Sequence, residues 1–480
     1  MRRPTQAVVV SAAAILTVTA CTTSSGTETE EKFAVDPLEW SDCEGELAEF
    51  ELECASLTVP VDWDDADGDT MDLALSKREA SSGDPLGSLL LNPGGPGGEG
   101  TSLPGIAEHL AGAEVAEQFD LIGFDPRGVN DSEVINCPVS LATVIPSDED
   151  EYADVLEDKH TEAQECAEEN SHLGYVDTVS AAHDIDAMRV GLDEDTISWL
   201  GYSYGTQLGA TYAEMYPENV HSMVLDAMYD HTRSSLDIID EQSAAREAGF
   251  SRFIDWCDSA DECSGDIGEK WDDLVAQADE NPLSTDNALD IAPESLNGAE
   301  VADATAAMLS APEMWPGLAE AIEDGLNGDG SELANMLADD GTMVAPMVAV
   351  RCLDWPTDED FTDFDAVAQR AADAAAENPR FGAHAHWYYS PECVEWSQEA
   401  TNPPSEYDFA EEMPILVIGG QWDPATPYEW SEQAAEDIPG ATLLTYTGDG
   451  HGAGPSSVCA QEQTAAYLVD PTSDIETECD

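Results

Sequence analysis

Positive charge is what this chain lacks most. Of its 480 residues only 15 are lysine or arginine, against 102 aspartates and glutamates, for a formal net charge of −87. The lysines are Lys32, Lys77, Lys159 and Lys270. Nucleic acid is excluded as a partner, because its phosphates have to be neutralised by basic side chains. The carboxylates run through the whole chain rather than forming a tail. Such a surface is expected of a protein adapted to high salt, where counterions screen the self-repulsion. No Cys-x-x-Cys pair occurs, which argues against a thiolate zinc site. No internal repeat is present, and the apolar run Ala7 to Val18 is too short to span a bilayer. With 42% hydrophobic residues the chain can still bury one or two large cores, so disorder is excluded.

The N-terminus has the form of an export signal over residues 1–20: Arg2 and Arg3, a short apolar stretch, then Val18-Thr19-Ala20 before Cys21. A cysteine directly after such small residues resembles the bacterial lipobox. The resemblance implies cleavage before Cys21, lipid on its sulfur, and attachment to the outer face of the plasma membrane, with shedding to the medium left open. Residues 21–35, polar and rich in Ser, Thr and Glu, suit a flexible tether. Setting Cys21 aside leaves Cys43, Cys54, Cys137, Cys166, Cys257, Cys263, Cys352, Cys393, Cys459 and Cys479. An even set in an exported chain points to disulfides, and neighbours in order would close local loops: 43–54, 137–166, 257–263, 352–393 and 459–479.

Short apolar runs alternate with helical stretches. Leu57–Val61 and Met71–Leu75 flank an Asp-rich turn with Asp67-Gly68, a hairpin signal. That acidic turn is not a calcium loop, because Trp63 and Ala74 stand where ligands would be needed. Ser88–Leu91, Phe119–Phe124, Thr196–Leu200, Ser222–Leu225, Pro414–Ile418 and Ala441–Leu444 read as buried strands of a mostly parallel α/β sheet. Between 231 and 405 strand signals vanish, and Trp315, Leu318, Ile322 and Leu326 recur at helical spacing. The expected organisation is a core over 36–230, an inserted helical cap over 231–405, and the rest of the core over 406–480.

Gly201-Tyr202-Ser203-Tyr204-Gly205 falls between the strand 196–200 and a helix beginning near Thr206. A Gly-x-Ser-x-Gly motif alone is weak, but strand, tight turn and helix in that order are the setting of a nucleophile elbow. The chain order then requires an acid and a histidine further on. Asp423, after strand 414–418, and His451, after strand 441–446, both lie past strand C-termini, where an open α/β sheet places its site. Asp226 is the rival acid. Backbone N–H groups of Tyr204 and of Gly95, preferred to Gly94, are the expected oxyanion donors. Pro93 and Pro96 make the turn 92–98 non-helical and so exclude a dinucleotide site there, and no cofactor is called for.

Together these stretches resemble the α/β-hydrolase serine exopeptidases of the prolyl-aminopeptidase clan, nearest to the actinobacterial tripeptidyl-aminopeptidase-like lipoproteins. The resemblance is carried by residues 92–98, 123–128 and 200–206, by Arg351–Pro356, Trp422–Pro427 and Gly450–Gly452, and by the final Cys459 to Cys479. It implies release of short peptides from free N-termini, with Ser203, Asp423 and His451 as triad and Gly95 with Tyr204 as oxyanion hole. Glu99 departs from the small residue usual after the glycines. A carboxylate in the cap is needed for the substrate ammonium, and Asp354 and Glu395 are the candidates. Arg127 is expected to tie down its own turn, and Thr426 to brace the Asp423 loop. Trp315, Trp355 and Trp387 are expected in the cap core. A carboxylesterase on the same triad is the alternative. A non-catalytic peptide-binding lipoprotein is disfavoured, since a binding module has no use for an elbow serine with a partnered histidine.

Overall fold

Parallel strands covered on both faces have to be apolar without interruption, and that is how the chain's central strands read. The computed structural model describes residues 33–140, 144–339 and 341–480; the leader, Cys21 and most of the tether lie outside them. In chain order the strands are β1 (Ser41–Asp42), β2 (Glu53–Pro60), β3 (Thr70–Arg78), β4 (Ser88–Asn92), β5 (Asp120–Phe124), β6 (Ile197–Tyr202) and β7 (Val220–Asp226). After the helical block come β10 (Ile415–Trp422), β11 (Thr442–Asp449) and β12 (Glu478–Cys479); β8 (Leu283–Ser284) and β9 (Ser295–Leu296) lie within the block.

The main sheet runs β1-β2-β3-β5-β4-β6-β7-β10-β11-β12. The Asp-rich turn joins an antiparallel hairpin, β2 with β3, and β3 pairs antiparallel with β5. From β5 through β4, β6, β7, β10 and β11 to β12 the pairing is parallel. Side chains of successive strand residues go to opposite faces. Leu90, Ile122, Trp199, Met223 and Val417 therefore share one core, and Leu89, Leu91, Leu121, Leu200, Val224 and Ile418 share the other.

Between β7 and β10 the chain is mainly helical, and a third core of Phe250, Phe253, Trp271, Trp315, Leu318 and Ile322 holds this block together. The helix Trp315–Leu326 covers the residues whose spacing announced it. The block is not strand-free, because β8 and β9 pair antiparallel. At two residues each they are too short to leave a period-two signal. Trp355 and Trp387 are buried, but in separate small clusters, with Tyr229 and Trp430 and with Tyr152 and Val367 respectively.

Five disulfides join 43–54, 137–166, 257–263, 352–393 and 459–479, with Cα–Cα separations from 4.9 to 5.6 Å. Arg127 is 1% exposed and spends its donors on Asp184 (2.7 and 2.6 Å) and on the carbonyls of Val61 and Tyr175. It pins the loop after β5 to the turn after β2 and to the helix Thr178–Gly191.

Candidate active site

β6 ends in the Gly-Tyr-Ser-Tyr-Gly turn, and the helix Tyr204–Met215 begins on the residue after the serine. Ser203 has φ 54° and ψ −128°, a backbone conformation costly for a residue with a side chain. Its own N–H donates to the carbonyl of Asp226 at 3.0 Å, which fixes the turn to β7. The second glycine is required by close approach: a Cβ on Gly205 would stand 2.6 Å from Asn92 Oδ1. The elbow thus presses on the end of β4.

The turn after β4 meets it from the other side. Gly94 has φ 90°, and a Cβ there would lie 2.4 Å from the carbonyl oxygen of Tyr202 and 2.9 Å from Ser203 Cβ and Tyr204 N. The Gly94 N–H is already taken by Asn92 Oδ1 at 3.0 Å. Gly95 lines the cavity with Ser203. Tyr204 is the first residue of its helix, where backbone N–H groups have no intrahelical acceptor. Its phenol is anchored on Thr178 Oγ1 at 2.6 Å.

Asp423 and His451 come together from the ends of β10 and β11. Both Asp423 carboxylate oxygens lie 2.9 Å from His451 Nδ1. The same carboxylate accepts N–H bonds from Ala425 and Thr426 at 2.8 Å and from Gly452 at 3.2 Å. Burial pulls the His451 pKa down, but the Asp423 charge and hydrogen bond outweigh it, so the imidazole titrates above its ordinary value. Thr426 lies on the Asp423 loop, its Oγ1 3.5 Å from His451 Nδ1. The rival acid, Asp226, is occupied elsewhere: its oxygens accept from the N–H groups of Ala453 and Gly454 at 2.8–3.1 Å. Burial raises its pKa to about 6.

Ser203, His451, Gly95 and Thr426 open onto one cavity of about 460 Å³, whose opposite wall comes from the helical block. That wall includes Arg246, Asp303, Met347, Arg351, Tyr388 and Tyr389.

The two carboxylates expected to hold a substrate ammonium do not line it. Asp354 is fully buried behind the elbow, where Thr178 N, Gln207 Nε2 and Asn402 Nδ2 donate to it at 2.9–3.1 Å and the Thr178 hydroxyl donates as well. Burial raises its pKa to about 7. It is a tie between the block and the helices 178–191 and 204–215. Glu395 lies on the outer surface, its side chain 58% exposed and 3.6 Å from His160. Glu99 is also exposed, and accepts from Ser102 Oγ at 2.7 Å.

The carboxylate that does line the cavity is Asp303, on the helix Gly298–Leu309, with His384 Nε2 at 2.7 Å. Nothing in the sequence sets it apart from the chain's other acids. Arg246 carried a usable signal, since cations are so scarce, but only the fold shows that it faces Ser203's cavity.

Comparison with known proteins matches two families and several relatives. Residues 87–267 match the family described as alpha/beta hydrolase fold, and residues 378–479 match the one described as TAP-like protein. The serine protease Hip1 of Mycobacterium tuberculosis is 29% identical, over 91% of this chain and 89% of that protein. The tripeptidyl aminopeptidase of Streptomyces lividans is 27% identical, over 91% and 85%. Carboxylesterase B of Mycobacterium tuberculosis is 30% identical, over 90% and 88%.

Proposed function

The chain belongs to the α/β-hydrolase family whose members carry a TAP-like C-terminal region, and from that premise we propose a serine exopeptidase that releases di- or tripeptides from free N-termini. The observation that carries the reading is the shared cavity. An elbow serine and an Asp-held histidine face a helical wall bearing a carboxylate, Asp303. Enclosure by that wall limits how much chain can lie beyond the scissile bond, and Asp303 offers the charge an ammonium needs.

Ser203 Oγ attacks the peptide carbonyl while His451 Nε2 takes its proton. Asp423 holds Nδ1–H and stabilises the imidazolium, and the N–H groups of Gly95 and Tyr204 receive the oxyanion. His451 returns the proton to the leaving amine. Water, deprotonated by the same nitrogen, then releases the short peptide and restores Ser203.

A carboxylesterase is the second reading, favoured by the 30% identical relative of that name. Both share the acyl-enzyme. We place the protein outside the cell, lipid-anchored through Cys21, since five disulfides fit an oxidising compartment. Among the described residues no helix is long and apolar enough to cross a membrane.

The experiment that tests the acyl-enzyme is labelling with a fluorophosphonate and mass mapping of the adduct. A single adduct on the Ser203 peptide, absent in Ser203→Ala together with all turnover, is expected. A labelled Ser203→Ala that still turns over substrate would remove the triad assignment.

A further inference from the structure

Cations are rare in this protein, and among the described residues nearly all are paired with a carboxylate. Lys77, Arg78, Arg127, Lys159 and Arg189 each have a carboxylate oxygen within 4.0 Å. So do Arg233, Arg252, Lys270, Arg351, Arg370 and Arg380. Among the described residues a single lysine or arginine stands outside this pattern: Arg246, on the helix Ser235–Cys257. In a chain with 102 acids, chance would readily have given it a partner.

Arg246 lines the Ser203 cavity. One guanidinium nitrogen, Nη2, donates to Tyr389 Oη at 2.7 Å, and the group leans over the Tyr389 ring at 5.5 Å. These contacts aim the fork without neutralising it. Its neighbour on the same wall, Arg351, is already discharged by Glu392, at 3.0 and 3.2 Å. Asp303 is the carboxylate facing the same space; one of its oxygens lies 2.7 Å from His384 Nε2, and its charge acts on Arg246 from beyond contact distance. The cavity therefore offers one positive group with no carboxylate oxygen within 4.0 Å, held by an aromatic ring and open to whatever reaches Ser203. A guanidinium fork matches a carboxylate, two parallel N–H bonds to two oxygens.

We propose that Arg246 is a specificity-determining residue that binds a carboxylate of the substrate. The proposal rests on the hydrolase reading of Ser203, but not on whether the bond cleaved is an amide or an ester. The carboxylate has two possible sources in a peptide: an Asp or Glu side chain in the segment released, or the C-terminal carboxylate of a substrate short enough to lie inside. The protein's overall negative charge does not forbid either. In molar salt the Debye length is about 3 Å, so surface charge is screened while a direct contact inside the cavity persists.

The test compares kcat/KM on free-amine tri-alanyl chromogenic amides carrying Glu or Gln at each position in turn, and on tetra-alanine as free acid or C-terminal amide. The first set reads a side-chain carboxylate and the second reads the terminal one. A preference of about tenfold or more for the charged member is expected in one of the two sets. Arg246→Gln should bring that ratio close to one, Arg246→Lys should retain part of it, and Arg246→Glu should turn it toward a Lys-bearing substrate. Equal fluorophosphonate labelling of each variant shows that the elbow is folded. No charged preference in either set, or a preference that survives in Arg246→Gln, overturns the proposal. If no amide is cleaved, the peptidase reading fails by itself, and p-nitrophenyl hemisuccinate against the butyrate ester carries the same ratio test for Arg246.

Discussion

Asp423 grips His451 by one nitrogen, with both carboxylate oxygens 2.9 Å from Nδ1. Backbone N–H groups of Ala425, Thr426 and Gly452 hold that carboxylate in place. Nδ1 is thereby the donor, and the neutral ring carries its basic lone pair on Nε2. A histidine restrained in this way can only act as a base through the nitrogen left for Ser203.

This sets the pH dependence. His451 must be neutral to accept the serine proton, and its pKa is raised by Asp423 against the pull of burial. Activity is lost as pH falls through that value, so the acidic limb of kcat/KM should lie above the ordinary imidazole value of about 6.5. In Asp423→Asn the larger part of the upward push is gone, only that of Asp226 remaining, and the limb should move to lower pH, with kcat reduced roughly 10³- to 10⁴-fold. A limb that stays put in the variant would mean another group is titrating.

Gly94→Ala tests the turn that carries Gly95. The added methyl would meet the Tyr202 carbonyl at 2.4 Å and Ser203 and Tyr204 at 2.9 Å, so the turn has to back away from the elbow. Loss of one aligned oxyanion donor costs about 10²- to 10³-fold in kcat. The expected result is a fall in kcat of that order with KM little changed. Unaltered kcat would show that the oxyanion is received elsewhere.

Arg127 and Asp184 form a buried pair, with side chains 0% and 2% exposed. Arg127→Met would leave Asp184 charged and unpaired inside the protein, a loss of about 3–5 kcal/mol. Denaturant unfolding in high salt should show it as a lower midpoint. Replacing both, Arg127→Met with Asp184→Leu, should recover part of the loss. A single variant as stable as the parent would contradict the role given to Arg127.

Salt should matter more than usual. With a net charge of −87 the folded chain repels itself, and counterions relieve that repulsion. Activity and thermal midpoint are expected to fall on dialysis into dilute buffer and to return in molar sodium or potassium chloride. Full activity at low ionic strength would set aside the high-salt reading of the surface.

The parts of the molecule legible in the sequence are those in which local chemistry and fold coincide. β4, β6, β7 and β10 read as strands because burial on both faces leaves continuous apolar runs. Ser203, Asp423 and His451 read as a set because each lies past a strand, though β11, the strand before His451, is buried only at Leu444 and Tyr446. The substrate wall was not legible. Asp354 stands in a motif-like stretch, yet burial turns it inward as a tie between helices. Asp303 is an ordinary helix acid until the block folds over Ser203. Where carboxylates are everywhere, neither residue type nor spacing distinguishes a ligand from a solvated face. Arg246 is scarce by type, but only the folded block brings it to Ser203's cavity.

The central claim is peptide release from a free amine. Its most direct test follows chromophore release, in high salt, from matched one-, two- and three-residue amides, each with a free and an acetylated amino terminus. Cleavage confined to the free-amine members, best at two or three residues, is the predicted result. Survival of every amide while simple esters are split would contradict it and leave a carboxylesterase on the same triad.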